Sequence, residues 1–190
     1  MELENKVAVV TGVSKGIGYA TVQALLDQGC KVAGWSRTAP NIDHGNFKFY
    51  ETDVKDFDSV SSSYNKTVAE FEQDVAILIN NAGLGYEGAL ETQDHQQWRE
   101  MFGTNVDGVL FCSQLVLPKM KAHDEGHIIN IASIAGLTGI PGMSAYCATK
   151  HAVRGLSHSL YKEVRNDGVK VTCIYPGSVN TNFFDAIDSV

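Results

Sequence analysis

The chain has 190 residues and a mass of 20.6 kDa, the size of one domain. With 44% hydrophobic and 19% charged residues it is globular rather than disordered, and its 18 glycines follow no triplet period, which excludes collagen. A net charge of −7 and a pI near 5.3 provide no electrostatic footprint for nucleic acid or an anionic membrane.

Residues 6–11 read as a buried strand carrying Val7, Ala8, Val9 and Val10. A glycine-rich stretch follows, then a helix to about residue 28 closed by Gly29, a second strand over 31–35 and a weaker third over 48–51. Asp56 is placed to cap a helix whose apolar residues Phe57, Val60, Tyr64, Val68 and Phe71 recur every three or four positions. The apolar run 75–79 predicts a fourth strand buried on both faces. A long helix then carries Trp98, Met101, Phe102, Asn105, Val109, Cys112 and Val116 on one face and is expected to end near Pro118. A fifth strand over 127–132, a helix over 145–166 and a sixth strand over 170–175, stopped by Pro176 and Gly177, complete the order.

This alternation predicts the α/β class: a three-layer, doubly wound Rossmann fold with a mostly parallel sheet of at least six strands and helices on both faces. Such sheets bind ligands at the carboxyl ends of their strands, so function is sought in the loops that follow them.

The opening MELENKVAVV carries charges and leads directly into a strand, without the pattern of a signal peptide. Residues 126–149 hold no Asp, Glu, Lys or Arg, but Asn130, Pro141 and four glycines within them would leave backbone groups unsatisfied in lipid. Cys30, Cys112, Cys147 and Cys173 show no CxxC pairing and read as reduced, core-filling thiols. The expectation is a cytoplasmic protein with no nucleic-acid or membrane partner.

The first strand-end loop holds Gly12, Ser14, Lys15, Gly16, Ile17 and Gly18 in the spacing GxxxGxG. Glycines permit a tight turn and let the backbone approach a pyrophosphate, whose charge is favoured by the helix N-terminus behind it. A Walker loop is excluded, because no Gly-Lys pair ends the motif. After the second strand come Ser36 and Arg37, with no acid before Asp43 to hold a ribose 2′-hydroxyl. Arg37 is suited to bind a 2′-phosphate bidentately, with Lys15 as a second cation and Ser36 as a donor, which favours NADP over NAD. Read alone, the loop is also compatible with a structural turn, and Arg37 with a solvated loop residue.

Tyr146 and Lys150 lie four apart on a predicted helix and so share one face. A free tyrosine, with a pKa near 10, is a poor base at neutral pH, and a nearby ammonium favours its phenolate. Asn105 stands on an apolar stripe where a polar group needs a partner. Ser133 follows the fifth strand, and the run Asn80, Asn81, Ala82, Gly83 follows the fourth. His123 and His127 are four apart, but Gly126 interrupts any helix that would align them, so no metal site is expected. The segment Gly142-Met143-Ser144-Ala145-Tyr146 lacks the final glycine of a nucleophile elbow.

Together, residues 11–18, Asp53, the run 80–83, Asn105, Ser133, Tyr146, Lys150, Pro176, Gly177 and Thr181 closely resemble the short-chain dehydrogenase/reductase family over essentially the whole chain. The resemblance implies that Tyr146 is the acid/base and that Ser133 orients the substrate oxygen. Lys150 would lower the Tyr146 pKa and hold the nicotinamide ribose, and Asn105 would position a water in a proton relay. Gly12, Gly16, Ile17 and Gly18 would lie at the pyrophosphate, and Asp53 and Val54 at the adenine. Asn81 would lie near the cofactor ribose, with Ala82 and Gly83 of the same run also binding cofactor. Pro176, Gly177 and Thr181 would flank the nicotinamide. In this family a basic residue in the glycine loop and an Arg after the second strand go with NADP.

The leading expectation is therefore an NADP(H)-dependent oxidoreductase that exchanges a hydride with a carbonyl or secondary alcohol. A 3-oxoacyl-carrier-protein reductase and a non-catalytic dinucleotide-sensing protein are the alternatives. A small-molecule substrate would enter an apolar pocket of Leu84, Tyr86, Leu137, Ile140, Met143, Phe183 and Phe184, with Glu87 as a polar exception. Relatives usually continue with further helices and a seventh strand, so residues 1–190 are expected to be a single dinucleotide-binding and catalytic domain lacking that part. The family also implies a homodimer or homotetramer, and a stripe including Phe111, Leu115, Val153, Leu156 and Leu160 would either form that interface or simply pack on the sheet.

Overall fold

The computed structural model describes residues 1–179. Among them, six strands form one parallel sheet: β1 (Val7–Thr11), β2 (Lys31–Ser36), β3 (Phe47–Glu51), β4 (Val75–Asn80), β5 (Gly126–Ile131) and β6 (Val169–Ile174). Their spatial order is β3-β2-β1-β4-β5-β6. The helices are α1 (Gly16–Asp27), α2 (Phe57–Phe71), α3 (His95–Phe102), α4 (Gly108–Ala122) and α5 (Ser144–Val164). This is the doubly wound fold expected from the alternation of elements.

The near-continuous apolar sequence of β1 follows from its place at the centre of the sheet, where all five of its residues are buried. Successive side chains leave a strand on opposite faces. Val7 and Val9 enter the core shared with Val60 and Phe71 of α2, Cys112, Val116 and Met120 of α4, and Leu160 and Val164 of α5. Ala8 and Val10 face Val22 and Leu26 of α1. Burying each such valine fully stabilises the fold by roughly 1.5–3 kcal/mol before conformational entropy is counted.

Asp56 caps α2 as expected, its carboxylate accepting the backbone N–H of Asp58 at 3.0 Å. The buried stripe of that helix differs in one respect. Phe57 is exposed, while Ser63 and Thr67 are buried. Trp35 of β2 accounts for Thr67, because it is wholly buried and its indole N–H donates to Thr67 Oγ1 at 3.1 Å, while the Ser63 hydroxyl pairs with that of Thr52 at 2.8 Å. A buried indole needs an acceptor, and a threonine on the facing helix supplies it.

The long helix is also not continuous. Between α3 and α4 lies one π-helical turn, residues Gly103–Asp107, with Asn105 at its centre. The wider turn shifts the helical phase, so Met101, Asn105, Val109, Cys112 and Val116 are buried while Trp98 is partly exposed and stacks on Phe102 at 4.6 Å. Nor does Pro118 end the helix, which runs on to Ala122. Proline removes the hydrogen bond to the carbonyl four residues back, here that of Gln114, and both residues are exposed, so water can serve that carbonyl.

Strand order reverses between β1 and β4. The connection leaving β1 crosses one face of the sheet and that leaving β4 crosses the other, which opens a crevice at their carboxyl ends.

Candidate functional site

A groove of about 460 Å³ occupies that crevice. Of the residues named from sequence, Gly12, Ser14, Lys15, Gly16, Ile17, Ser36, Arg37, Asp53, Val54, Asn81, Ala82, Gly83, Ser133, Tyr146, Lys150, Pro176 and Gly177 all line it. Gly18 and Asn105 stand behind its wall, and Thr181, Phe183 and Phe184 lie outside the described residues. Thr38, Thr52 and Thr104 also line the groove, though nothing singled them out in the sequence beyond their places beside Arg37, Asp53 and Asn105.

One end of the groove is built from backbone. Gly12 has φ +70° and Gly16 φ +62°, in the left-handed region that favours glycine. A Cβ on Gly12 would stand 2.8 Å from Ala82 Cα, and one on Gly18 only 2.2 Å from the Gly12 carbonyl oxygen. The loop after β4 closes over this turn. Asn81 Nδ2 donates to the carbonyl oxygens of Thr11 and Gly12 at 2.9 and 3.0 Å, and Thr11 Oγ1 accepts the N–H groups of Asn81 and Ala82 at 3.0 and 2.9 Å. The turn delivers the chain into α1, whose first N–H groups lack helical partners and whose dipole favours an anion there. Exposed Lys15 and Arg37 add positive charge to this end.

The other end is built from side chains. α5 carries Tyr146 and Lys150 on one face, both buried. Lys150 Nζ donates to the carbonyl oxygen of Ile131 at 3.0 Å and lies 5.7 Å from the centre of the Tyr146 ring. Burial pulls the lysine's pKa down from its ordinary value to about 8. Burial raises that of Tyr146, while a hydrogen bond from Ser133 acts in the opposite direction. The sequence led to the expectation that Lys150 lowers the tyrosine's pKa; in the structure desolvation outweighs the downward influence, which comes from Ser133. Ser133 itself sits in extended backbone just after β5, and its hydroxyl also accepts the N–H of Ala135 at 3.1 Å.

Asn105 joins the two ends. Its Oδ1 accepts the Leu84 N–H at 2.9 Å, and its Nδ2 donates to the Leu84 carbonyl at 2.8 Å and to Thr149 Oγ1 at 3.0 Å. The side-chain amide is thus engaged in fixing the loop after β4 to α5 rather than turned into the groove. Gly83 passes through the gap so made, where a Cβ would stand 3.4 Å from Asn105 Oδ1 and 3.5 Å from Lys150 Nζ. Beside Tyr146, an apolar cluster of Met101, Ala135, Met143 and Cys147 packs with Leu84, Tyr86 and Ile140, whereas Leu137 is exposed.

Residues 6–189 match the short chain dehydrogenase family. An uncharacterized oxidoreductase of Staphylococcus saprophyticus is 35% identical over 194 residues, an alignment spanning 97% of this chain and 78% of that protein. A short chain dehydrogenase/reductase from Burkholderia phymatum, solved in complex with NAD, superposes with a TM-score of 0.90 at 32% identity, covering 98% of this chain and 70% of that one. ElxO, solved with NADP bound, superposes with a TM-score of 0.89 at 32% identity, covering 96% and 77%.

Proposed function

Because the chain belongs to the short chain dehydrogenase family of oxidoreductases, we propose that it is an NADP(H)-dependent enzyme acting on a carbonyl or secondary alcohol. The observation that carries the reading is one groove with an anion-favouring glycine turn and two cations at one end, and a half-buried Ser133 beside buried Tyr146 and Lys150 at the other. The residues fit an elongated dinucleotide: bare backbone at the turn allows close approach, and Pro176 and Gly177 supply small surfaces at the far end. Such a cofactor, when bound, supplies the hydride chemistry.

The chain's own residues supply the rest. The glycine turn and the α1 N-terminus would hold the pyrophosphate, Asp53 and Val54 would border the adenine, and Arg37 with Lys15 would bind the 2′-phosphate. Ser36, expected as a donor there, instead donates its hydroxyl to the Thr38 carbonyl at 2.7 Å and borders the site. Arg37 is chosen over an acidic residue by its charge alone: a carboxylate in its place would repel that phosphate. Asn81, Ala82, Gly83, Pro176 and Gly177 line the path between, and Lys150 would hold the nicotinamide ribose. Ser133 and Tyr146 present hydroxyls to the substrate oxygen. Burial keeps the Tyr146 phenol protonated, ready to donate to an oxygen that gains negative charge; the Ser133 hydrogen bond stabilises the phenolate left behind. Asn105 acts by holding Leu84 and Thr149 in register with that pair. The apolar cluster beside Tyr146 suits an uncharged small molecule.

We further read residues 1–190 as one dinucleotide-binding and catalytic domain, cytoplasmic and assembled as a homodimer or homotetramer. Val153 and Leu160 are buried in the core, Phe111, Leu115 and Leu156 are half-buried, and Leu110 of α4 and Tyr161 of α5, at 40% and 47% exposure, add apolar surface open to such an interface.

Fluorescence titration with NADPH and NADH tests the cofactor assignment. NADPH is expected to bind at least about tenfold more tightly, equivalent to about 1.4 kcal/mol, and Arg37→Ala to remove that margin. Tyr146→Phe keeps the ring and is expected to lower turnover of a ketone by roughly 10²–10⁴-fold with NADPH binding intact. Equal affinity for both nucleotides overturns the cofactor assignment, and an active Tyr146→Phe variant overturns the assigned proton donor.

A further inference from the structure

The loop after β4 reaches the side of the groove at Tyr86, which lines the same cavity as Arg37, Asp53 and Val54. Its ring packs against the apolar cluster that includes Met101, and its hydroxyl donates to Glu100 Oε2 of α3 at 2.7 Å. The other oxygen of that carboxylate lies 3.6 Å from Lys55 Nζ, and the same ammonium lies 3.8 Å from Asp53 Oδ2. Asp53 is fixed in turn, because its Oδ1 accepts the Lys55 N–H at 3.0 Å. A continuous run of polar contacts therefore links the loop after β4, helix α3 and the loop after β3. It passes from the apolar cluster beside Tyr146, where the Tyr86 ring sits, to Asp53 on the wall of the groove, and the Glu100 hydrogen bond and burial raise the Tyr86 phenol's pKa and keep it a neutral donor.

Resting on the dinucleotide reading above, we infer that Tyr86, latched through Glu100 and Lys55 to Asp53, forms the outer wall of the adenosine subsite and sets affinity for the adenosine half of the cofactor. The latch adds polar contacts between two loops that also share an apolar cluster through Val54 and Ala82, so ligand binding need not order them. Its effect is independent of the 2′-phosphate, because none of the latch residues offers that group a positive charge except Lys55, whose ammonium is already flanked by two carboxylates.

Calorimetric titration of the intact protein with 2′,5′-ADP, 5′-AMP and nicotinamide mononucleotide separates the halves of the site. Tyr86→Phe, which keeps the packed ring, is expected to weaken 2′,5′-ADP and 5′-AMP by the same factor, roughly three- to tenfold, and to leave nicotinamide mononucleotide unchanged. Glu100→Ala should match it, and the double variant should be no weaker than either alone. Arg37→Ala, in contrast, should weaken only 2′,5′-ADP. Unchanged affinities in both latch variants, or an equal loss for nicotinamide mononucleotide, overturn the latch while leaving the dinucleotide reading in place. A wild-type protein that binds neither adenosine ligand overturns both.

Discussion

The two ends of the groove solve opposite problems with different materials. At the glycine turn, backbone lies against backbone: Gly18 beside the Gly12 carbonyl, Gly12 beside Ala82, and Asn81 bonded to two carbonyls of the turn. At the α5 end, a lysine and a tyrosine are buried together, and burial displaces the pKa of each in the direction of its neutral form. The first end is intolerant of volume and the second of charge, so each should fail in its own way when altered.

Lys150→Met makes the sharpest test of that contrast. Lys150 loses its proton near pH 8 in the native state but near 10.5 when unfolded. Between those values the unfolded chain binds more protons, so native stability supplied through this residue rises with pH. Urea unfolding of the two proteins should show wild type gaining up to about 3 kcal/mol on the Lys150→Met variant between pH 8 and 10.5; parallel curves would mean that the lysine is not desolvated. Gly18→Ala should cost about 1–3 kcal/mol at every pH, because the new methyl meets backbone that cannot move aside, and should remove dinucleotide binding. A melting temperature equal to wild type would show that the turn yields to volume after all. The smallest effect belongs to Asn81→Ala, about 1–2 kcal/mol from two lost hydrogen bonds. Nucleotide affinity should fall while the pH dependence of turnover stays where it was, and a shifted pH profile would break the separation between the ends.

What the sequence made legible follows the same division. The glycine turn could be read because φ and close approach limit the residue type so severely that spacing alone carries the information. The strands could be read because a sheet covered on both faces demands apolar residues at every position, as in β1. Helix phase was harder. The π-helical turn around Asn105 leaves no residue-type mark, since it is an accommodation of packing, and Pro118 was tolerated because its lost hydrogen bond falls on solvent. Trp35 pairing with Thr67 shows a further limit: two residues 32 apart in sequence chose each other only once β2 and α2 had met. The direction of the Tyr146 shift was hidden for a related reason. Spacing placed Lys150 beside it, but the depth of burial that outweighs the Ser133 hydrogen bond is a property of the whole core. The Tyr86–Glu100–Lys55–Asp53 run has no local pattern at all, because its members come from three loops and helices brought together by the strand order.

The pairing of β1 with β4 also fixes when the site can come into being. Thr11 and Asn81, whose bonds hold the glycine turn, are 70 residues apart. Everything between them, including three strands and two helices' worth of chain, must be made and laid down before the turn has anything to lean on. A chain emerging from the ribosome amino end first thus carries its phosphate loop unfastened until the fourth strand docks, and residues made well before β4 are locked in place only after it.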